Sequence, residues 1–315
     1  MVVPNRLLNL VAVFLAAIIY GVLIIYVRTF GLTVPFLDTW TIDVPLALTM
    51  QENTLQLSEL WLVQAAHIQL VQRIILVTSV TMDSSWNLTN QLFLGIAFYG
   101  GGFVLLADVA RRTLDASWLP LAIIIFALIV FNLGQHTNLI WTGGLLHWSP
   151  YILAVGAVVW GLDRFSSSWL SIIFLISVTA VLNLANAAGI VLIIAISMMI
   201  GFYGFRRAQL IAWGAYVVIT IIAFTQIVII DSGEGSDIQV ERFWYIVTTV
   251  LSLLSTLFYP RPWQTPSLTY AITAVTTLLW ALALLVWQLR RGISPQARPW
   301  FILLLTGLGT VAQIT

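Results

Sequence analysis

Cysteine is absent from all 315 residues, which excludes disulfides, thiolate metal sites and cysteine nucleophiles. Lysine is absent too, so all 13 basic side chains are arginines. Charged residues of either sign make up only 8% of the chain, and the net charge of +1 provides no electrostatic attraction for nucleic acid. There is no glycine loop to cradle a phosphate, no His/Asp/Glu cluster at zinc spacing and no nucleophile elbow. The strict alternation of an outer-membrane barrel is missing. No repeat and no low-complexity linker divides the chain, so residues 1–315 read as one transmembrane domain.

What is present is apolar. Hydrophobic residues account for 60% of the chain and the mean hydropathy is +1.01. Runs of about 20 apolar residues match a hydrocarbon core of about 30 Å, and backbone in lipid must satisfy itself within the segment. The fold class is therefore an all-α integral membrane protein, a polytopic bundle of about nine spans by length of run. These lie at 7–27, 88–109, 118–134, 150–162 (reaching back to about 146), 169–188, 190–204, 210–230, 268–289 and 300–315. The first run is longer than a signal-peptide core and lacks a small-residue cleavage site, so it reads as a retained span. Residues 169–204 are too long for one span, and Asn183-Leu-Ala-Asn186-Ala-Ala-Gly189 is the natural turn. Gly100-Gly-Gly102, inside a span, reads as close helix packing. The last run stops without a flanking charge, as in a chain cut short. Many of the 14 tryptophans (Trp40, Trp86, Trp118, Trp148, Trp169 and Trp300 among them) sit near segment ends, as an interfacial belt requires.

With the N-terminus inside, Arg6, Arg111, Arg112, Arg164, Arg206, Arg207, Arg290, Arg291 and Arg298 are cytoplasmic. Only Arg28, Arg73, Arg242 and Arg261 then fall outside, which satisfies the positive-inside rule for a multi-pass protein of the cytoplasmic membrane. This orientation treats 243–258 as a re-entrant or surface helix within an outer loop spanning 231–267. The same orientation gathers most acids on the outer face. Asp38, Asp43, Glu52 and Glu59 fall with His67 and Arg73 in the outer-face loop at 28–87, which carries amphipathic helices. Ser58–Val77 reads as one such helix, capped by Ser58-Glu59.

Asp38, in Pro35-Phe-Leu-Asp-Thr-Trp40, fits a general base or a divalent-cation ligand, and equally a turn former at a span end. Asp43 has the same two readings. His67 is either a site residue or a packed, hydrogen-bonded histidine. Arg73, among apolar neighbours, requires a partner, which a phosphate head group and an internal carboxylate supply equally well. The second outer stretch, 132–148, is polar and aromatic but uncharged, and carries Gln135, Asn138, Trp141 and His147. Amides for hydroxyls and flat rings for an apolar face suit a sugar, and the same residues suit an interfacial loop. Asp108 and Asp163 precede arginines and read as local ion pairs.

Phe36-Leu-Asp38-Thr-Trp40 after the first span resembles the F-x-D-x-W-like element of the GT-C superfamily of membrane glycosyltransferases. In Ala65-Ala66-His67-Ile68-Gln-Leu-Val-Gln-Arg73, the histidine and distal arginine keep the spacing of that group's N-E-H-R-I-x-x-x-R motif, with Ala66 replacing its glutamate and Ile68 its arginine. Gln135-x-x-Asn138-Leu-Ile-Trp141 is similar to its Q-x-x-N-L-x-W pattern. The resemblance implies transfer of a sugar from a polyprenyl-phosphate donor, in contact with membrane lipid, to an acceptor on the outer face. Asp38 would be the base; His67 and Arg73 would contact the donor phosphate, and Gln135, Asn138, Trp141 and His147 the sugar. The resemblance assigns no cofactor; a divalent cation on the leaving phosphate is compatible with it. Two other readings stand beside it: a transporter or flippase-like binding protein, and a non-catalytic scaffold, which the missing glutamate favours.

Overall fold

The computed structural model describes residues 5–41, 43–61, 69–83, 86–133, 136–165, 167–186, 188–232 and 293–313. The expected re-entrant helix at 243–258 and the span at 268–289 lie outside the described residues. Among those described there are helices and turns but no strand. Three helices are long and apolar enough to cross a membrane, namely α1 (Asn5–Phe30), α4 (Leu88–Thr113) and α7 (Thr142–Phe165). Around them lie α2 (Asp43–Gln51), α3 (Leu70–Asp83), α5 (Leu119–Val130), α6 (His136–Ile140), α8 (Trp169–Asn183), α9 (Gly189–Met199), α10 (Arg207–Ser232) and α11 (Arg298–Gln313). Apolar side chains on α1 remain uncovered, with Leu10 67% and Phe14 66% exposed. On a helix of this length and composition, such a face meets lipid.

The closest packing in the bundle is glycine-mediated. α4 and α7 run parallel, and a Cβ on Gly102 would stand 2.8 Å from the Ile152 carbonyl oxygen. A Cβ on Gly156 would stand 2.8 Å from the Gly102 oxygen, and Gly95 leaves the room that the Leu145 side chain fills. The two backbones therefore approach to a distance that only glycine permits. At their C-terminal ends, the Asp108 carboxylate meets Arg111 at 2.9 Å and Arg112 at 2.8 Å, while Arg112 reaches Asp163 of α7 at 3.2 Å. The Trp160 indole N–H also donates to Asp108, at 3.0 Å. What the sequence presents as local pairs is thus a cross-helix network. Pairs this open to water contribute about 0–1 kcal/mol each, so they fix register more than they stabilise. Gln209 joins the same end by accepting from the Arg206 N–H at 2.7 Å and donating to the Ser167 carbonyl at 2.9 Å.

Two expected boundaries change. The stretch expected to span 118–134 contains a helix over Leu119–Val130 only, and 12 residues make about 18 Å. Phe131 packs on Tyr20 of α1 at 4.9 Å and on Phe103 of α4 at 5.1 Å, well short of the end at which α4 begins. Residues 131–133 are irregular, and the short α6 follows at His136–Ile140, where the Leu32 N–H meets the Ile140 carbonyl at 2.6 Å. Backbone of this kind at depth is stable only inside protein or along a cavity. The second change is that α7 starts at Thr142, so the polar residues 142–148, read from sequence as loop, form its first turns. Pro150 lies inside this helix.

The Asn183–Gly189 turn separates α8 from α9 as the sequence indicates. Asn186 accepts from the Ala188 N–H at 2.8 Å, and Asn183 fills the space beside Gly189.

Gly102→Ala and Gly156→Ala should each destabilise the protein by about 1–3 kcal/mol, the usual cost of overpacking, because the obstructing atoms are backbone. Gly21→Ala, with nothing within 4 Å of the new carbon, should be neutral or slightly stabilising. Thermal unfolding of the three variants in one detergent checks the ordering.

Candidate functional site

The loop after α1 turns through Leu37–Trp40, where the Thr39 hydroxyl donates to the Phe36 carbonyl at 2.6 Å and accepts from its N–H at 2.5 Å. This double bond to one residue pins Thr39 against the bundle, where it is 2% exposed. Phe36 meets the Trp141 ring edge-on at 6.1 Å between centroids. The indole lies over Gly143 and Gly144, whose missing Cβ atoms leave the space it fills. The glycine pair thus seats a ring rather than breaking a helix.

Ser58–Val77 is not one helix. Leu57–Trp61 forms a 3₁₀ turn, α3 begins at Leu70, and Gln69 between them has φ of 54°, which a right-handed helix cannot include. The Glu59 carboxylate accepts from the Gln56 N–H at 3.1 Å and the Thr49 hydroxyl at 3.4 Å, tying the turn to α2. The Arg73 guanidinium donates to the Glu59 and Leu60 carbonyls at 3.3 and 3.1 Å, oxygens a continuous helix would have used itself.

Pro150 has no N–H to offer the Leu146 carbonyl one turn back. The Gln72 side-chain amide supplies that donor at 3.3 Å and also reaches the Ala185 carbonyl at 2.7 Å. The Asn186 amide donates to the next carbonyl, that of His147, at 2.9 Å. Two carboxamides therefore join α3, the proline break in α7 and the α8–α9 turn.

Between these elements lies a cavity of about 230 Å³. Asp43, Asn138, Trp141 and His147 line it, together with Thr39, Gln69, Gln72, Gln91 and Trp148. The volume is below the roughly 300–1,000 Å³ of drug-sized pockets and suits one ring rather than an extended chain. His147 and Trp148 stand edge to face at 5.1 Å. Burial pushes the Asp43 carboxyl up to about 7, against the opposing pull of Arg73. Burial likewise draws Arg73 below the ordinary guanidinium range, with Asp43 resisting. The cavity thus holds an acid that changes charge near neutrality within a wall of amides and indoles.

Of the residues expected from sequence, Asp43, Asn138, Trp141 and His147 come together, and Arg73, next to Gln72 in α3, acts on Asp43. Asp38 lies in the turn that delivers Thr39, but its side chain, like His67, Ala66 and Gln135, lies outside the described residues. Asn183 bonds to the Tyr216 hydroxyl at 3.4 Å, and it and Asn186 serve the turn rather than the cavity wall. The sequence reading missed Gln91, a carboxamide within the apolar α4, although an amide there carries a desolvation cost that marks it. Among the described residues, no three His, Asp or Glu side chains come together as a metal site. Comparison with protein-family models, curated proteins and solved structures gives no match to this chain.

Gln72→Leu should cost about 1–3 kcal/mol for each carbonyl left without a donor. Pro150→Ala returns an N–H to Leu146, so Gln72→Leu should cost less in that background, with a coupling of about 1 kcal/mol in a thermal double-mutant cycle. Additive costs would separate Gln72 from the proline break.

Asp43 gives a second expectation. A carboxyl raised from 3.8 to about 7 binds its proton more tightly in the folded state. Its contribution to stability is complete below pH 3.8 and is lost as pH rises through about 7. Asp43→Asn removes that loss, so its melting temperature should exceed the parent's by more at pH 8 than at pH 4. Parallel curves across that range would show that the carboxyl titrates normally.

Proposed function

We propose that this chain is a membrane glycosyltransferase-like enzyme of the GT-C type, with about nine spans, as the apolar runs of the sequence suggest. It would transfer a sugar from a polyprenyl-phosphate donor to an acceptor on the outer face of the cytoplasmic membrane. The observation that carries the reading is the cavity, where a half-buried acid titrating near neutrality shares a ring-sized space with carboxamides and indoles. The arginine-bearing ends of α4 and α7 lie at the opposite end of the bundle. The positive-inside rule then puts that end in the cytoplasm, with the N-terminus, and the cavity outside.

Displacement of a phosphate by an acceptor hydroxyl needs a base beside the acceptor and positive charge near the leaving group. Asp38, one residue before the cavity-lining Thr39, is the base. Arg73, held by two backbone carbonyls, supplies the positive charge, and His67 contacts the donor phosphate. Asp43, Gln135, Asn138, Trp141 and His147 hold the sugar, with the indole under its apolar face. No step is routed through a metal.

One observation favours a carrier as the second reading. Transporters build sites beside helices with freed backbone groups, and α7 lacks one helical hydrogen bond at Pro150 near the cavity. Here, however, the Leu146 and His147 carbonyls are taken by Gln72 and Asn186, so they do not stand open for an ion.

With a polyprenyl-phosphate hexose as donor, Asp38→Asn should lower turnover at least about a hundredfold while leaving donor binding intact. Unchanged turnover in the variant removes Asp38 from the mechanism. Saturable binding without turnover in the parent protein moves the assignment to the carrier.

A further inference from the structure

Gln91 is 3% exposed, lines the cavity from α4, and its side-chain Nε2 is buried with no hydrogen-bond partner. Two other cavity residues show the same condition. The Trp141 indole N–H has no acceptor, and the Oε1 of Gln72 has no donor, although the Nε2 of Gln72 is fully used. Buried polar atoms in proteins are normally satisfied, and three unsatisfied ones around a single cavity imply that something else satisfies them. Their kinds define it. Two N–H donors and one carbonyl acceptor call for a group that both accepts and donates, which a hydroxyl does. The charged side chain in the lining is Asp43, an acid, so an anionic group meets repulsion there.

We propose that Gln91, with the Trp141 N–H and the Gln72 Oε1, forms a recognition site for a neutral, hydroxylated ring, and that Gln91 is its specificity-determining residue. This assignment rests on the glycosyltransferase reading and specifies its substrate: the ring is an uncharged hexose, and a hexuronate is rejected. The phosphate of the donor remains outside this subsite, because its lining among the described residues contains no arginine. Gln91 differs from Gln72 in a way that makes it testable. Gln72 holds two backbone carbonyls, whereas the amide nitrogen of Gln91 holds nothing in the protein, so removing it costs the empty protein no bond.

The test is equilibrium binding of three radiolabelled short-chain ligands to the full chain in detergent: a polyprenyl-phosphate hexose, the matching hexuronate and the bare polyprenyl phosphate. The hexose ligand should bind at least about tenfold more tightly than the other two, the increment of one or two hydrogen bonds made in a dry site. Gln91→Leu and Gln91→Met should abolish that increment while leaving the melting temperature of the empty protein unchanged or raised. A lowered melting temperature in both variants with the increment intact would make Gln91 a structural residue and overturn the assignment. Tight hexuronate binding would overturn the claim of neutrality. An undiminished hexose increment in the variants defeats this assignment alone, whereas failure of all three ligands to bind defeats the transferase reading along with it.

Discussion

The missing N–H of Pro150 is the constraint around which this molecule is arranged. A helix crossing an apolar medium has no water to receive a carbonyl it cannot satisfy, so each one freed must find a donor within the protein. The Gln72 amide takes the Leu146 carbonyl and the Asn186 amide that of His147. Gln72 also holds Ala185, so the proline break recruits α3 and the α8–α9 turn to the same end of α7. The cavity forms where these elements meet. It is bounded by Gln72, which repairs the helix, and by residues that the repair brings close.

The opposite requirement governs the rest of α7. Beyond the break, Gly102 and Gly156 let α4 and α7 touch backbone to backbone, and Arg112 and Asp163 lock the far ends in register. A rigid parallel pair therefore carries an irregular outer end. Asp43 is presented to that end from the first turn of α2, where burial raises its carboxyl into the neutral range and Arg73 limits the rise. A charge near neutrality is affordable there because it can be relinquished.

The helical, membrane-crossing character was legible from runs of apolar residues, since length and hydropathy are local properties. The Asn183–Gly189 turn was legible for the same reason. The start of α7 was not, because Gly143, Gly144 and Pro150 carry the local chemistry of a loop. Their helical role depends on the Trp141 ring and on Gln72, the latter 78 residues before Pro150 in sequence number. The break at Gln69 was hidden likewise, since Glu59 and Arg73 look like a helix cap and a helix face until each is seen holding another segment. In the site, Asp43, Asn138, Trp141 and His147 could be picked by type and by nearness to span ends. Gln91 carried only the mark of an amide in an apolar helix, and that its nitrogen lacks a partner is a fact that only packing reveals.

The same reasoning separates the polar residues of this end into two kinds. Asn186 and the amide nitrogen of Gln72 bond to backbone and maintain the fold whether or not the cavity is occupied. The amide nitrogen of Gln91 and the indole nitrogen of Trp141 are buried without such bonds and lower the stability of the empty protein. A fold that only needed to be stable would place an apolar side chain at Gln91, whose amide nitrogen makes no bond in the protein. Retaining desolvated donors in a wall that is otherwise repaired carbonyl by carbonyl is consistent with a protein that gives up stability for recognition. Gln72 belongs to both kinds at once, its nitrogen serving the break and its oxygen turned over to the cavity. The amide that mends the helix is thereby also oriented for a ligand, and structural repair and recognition meet in a single side chain.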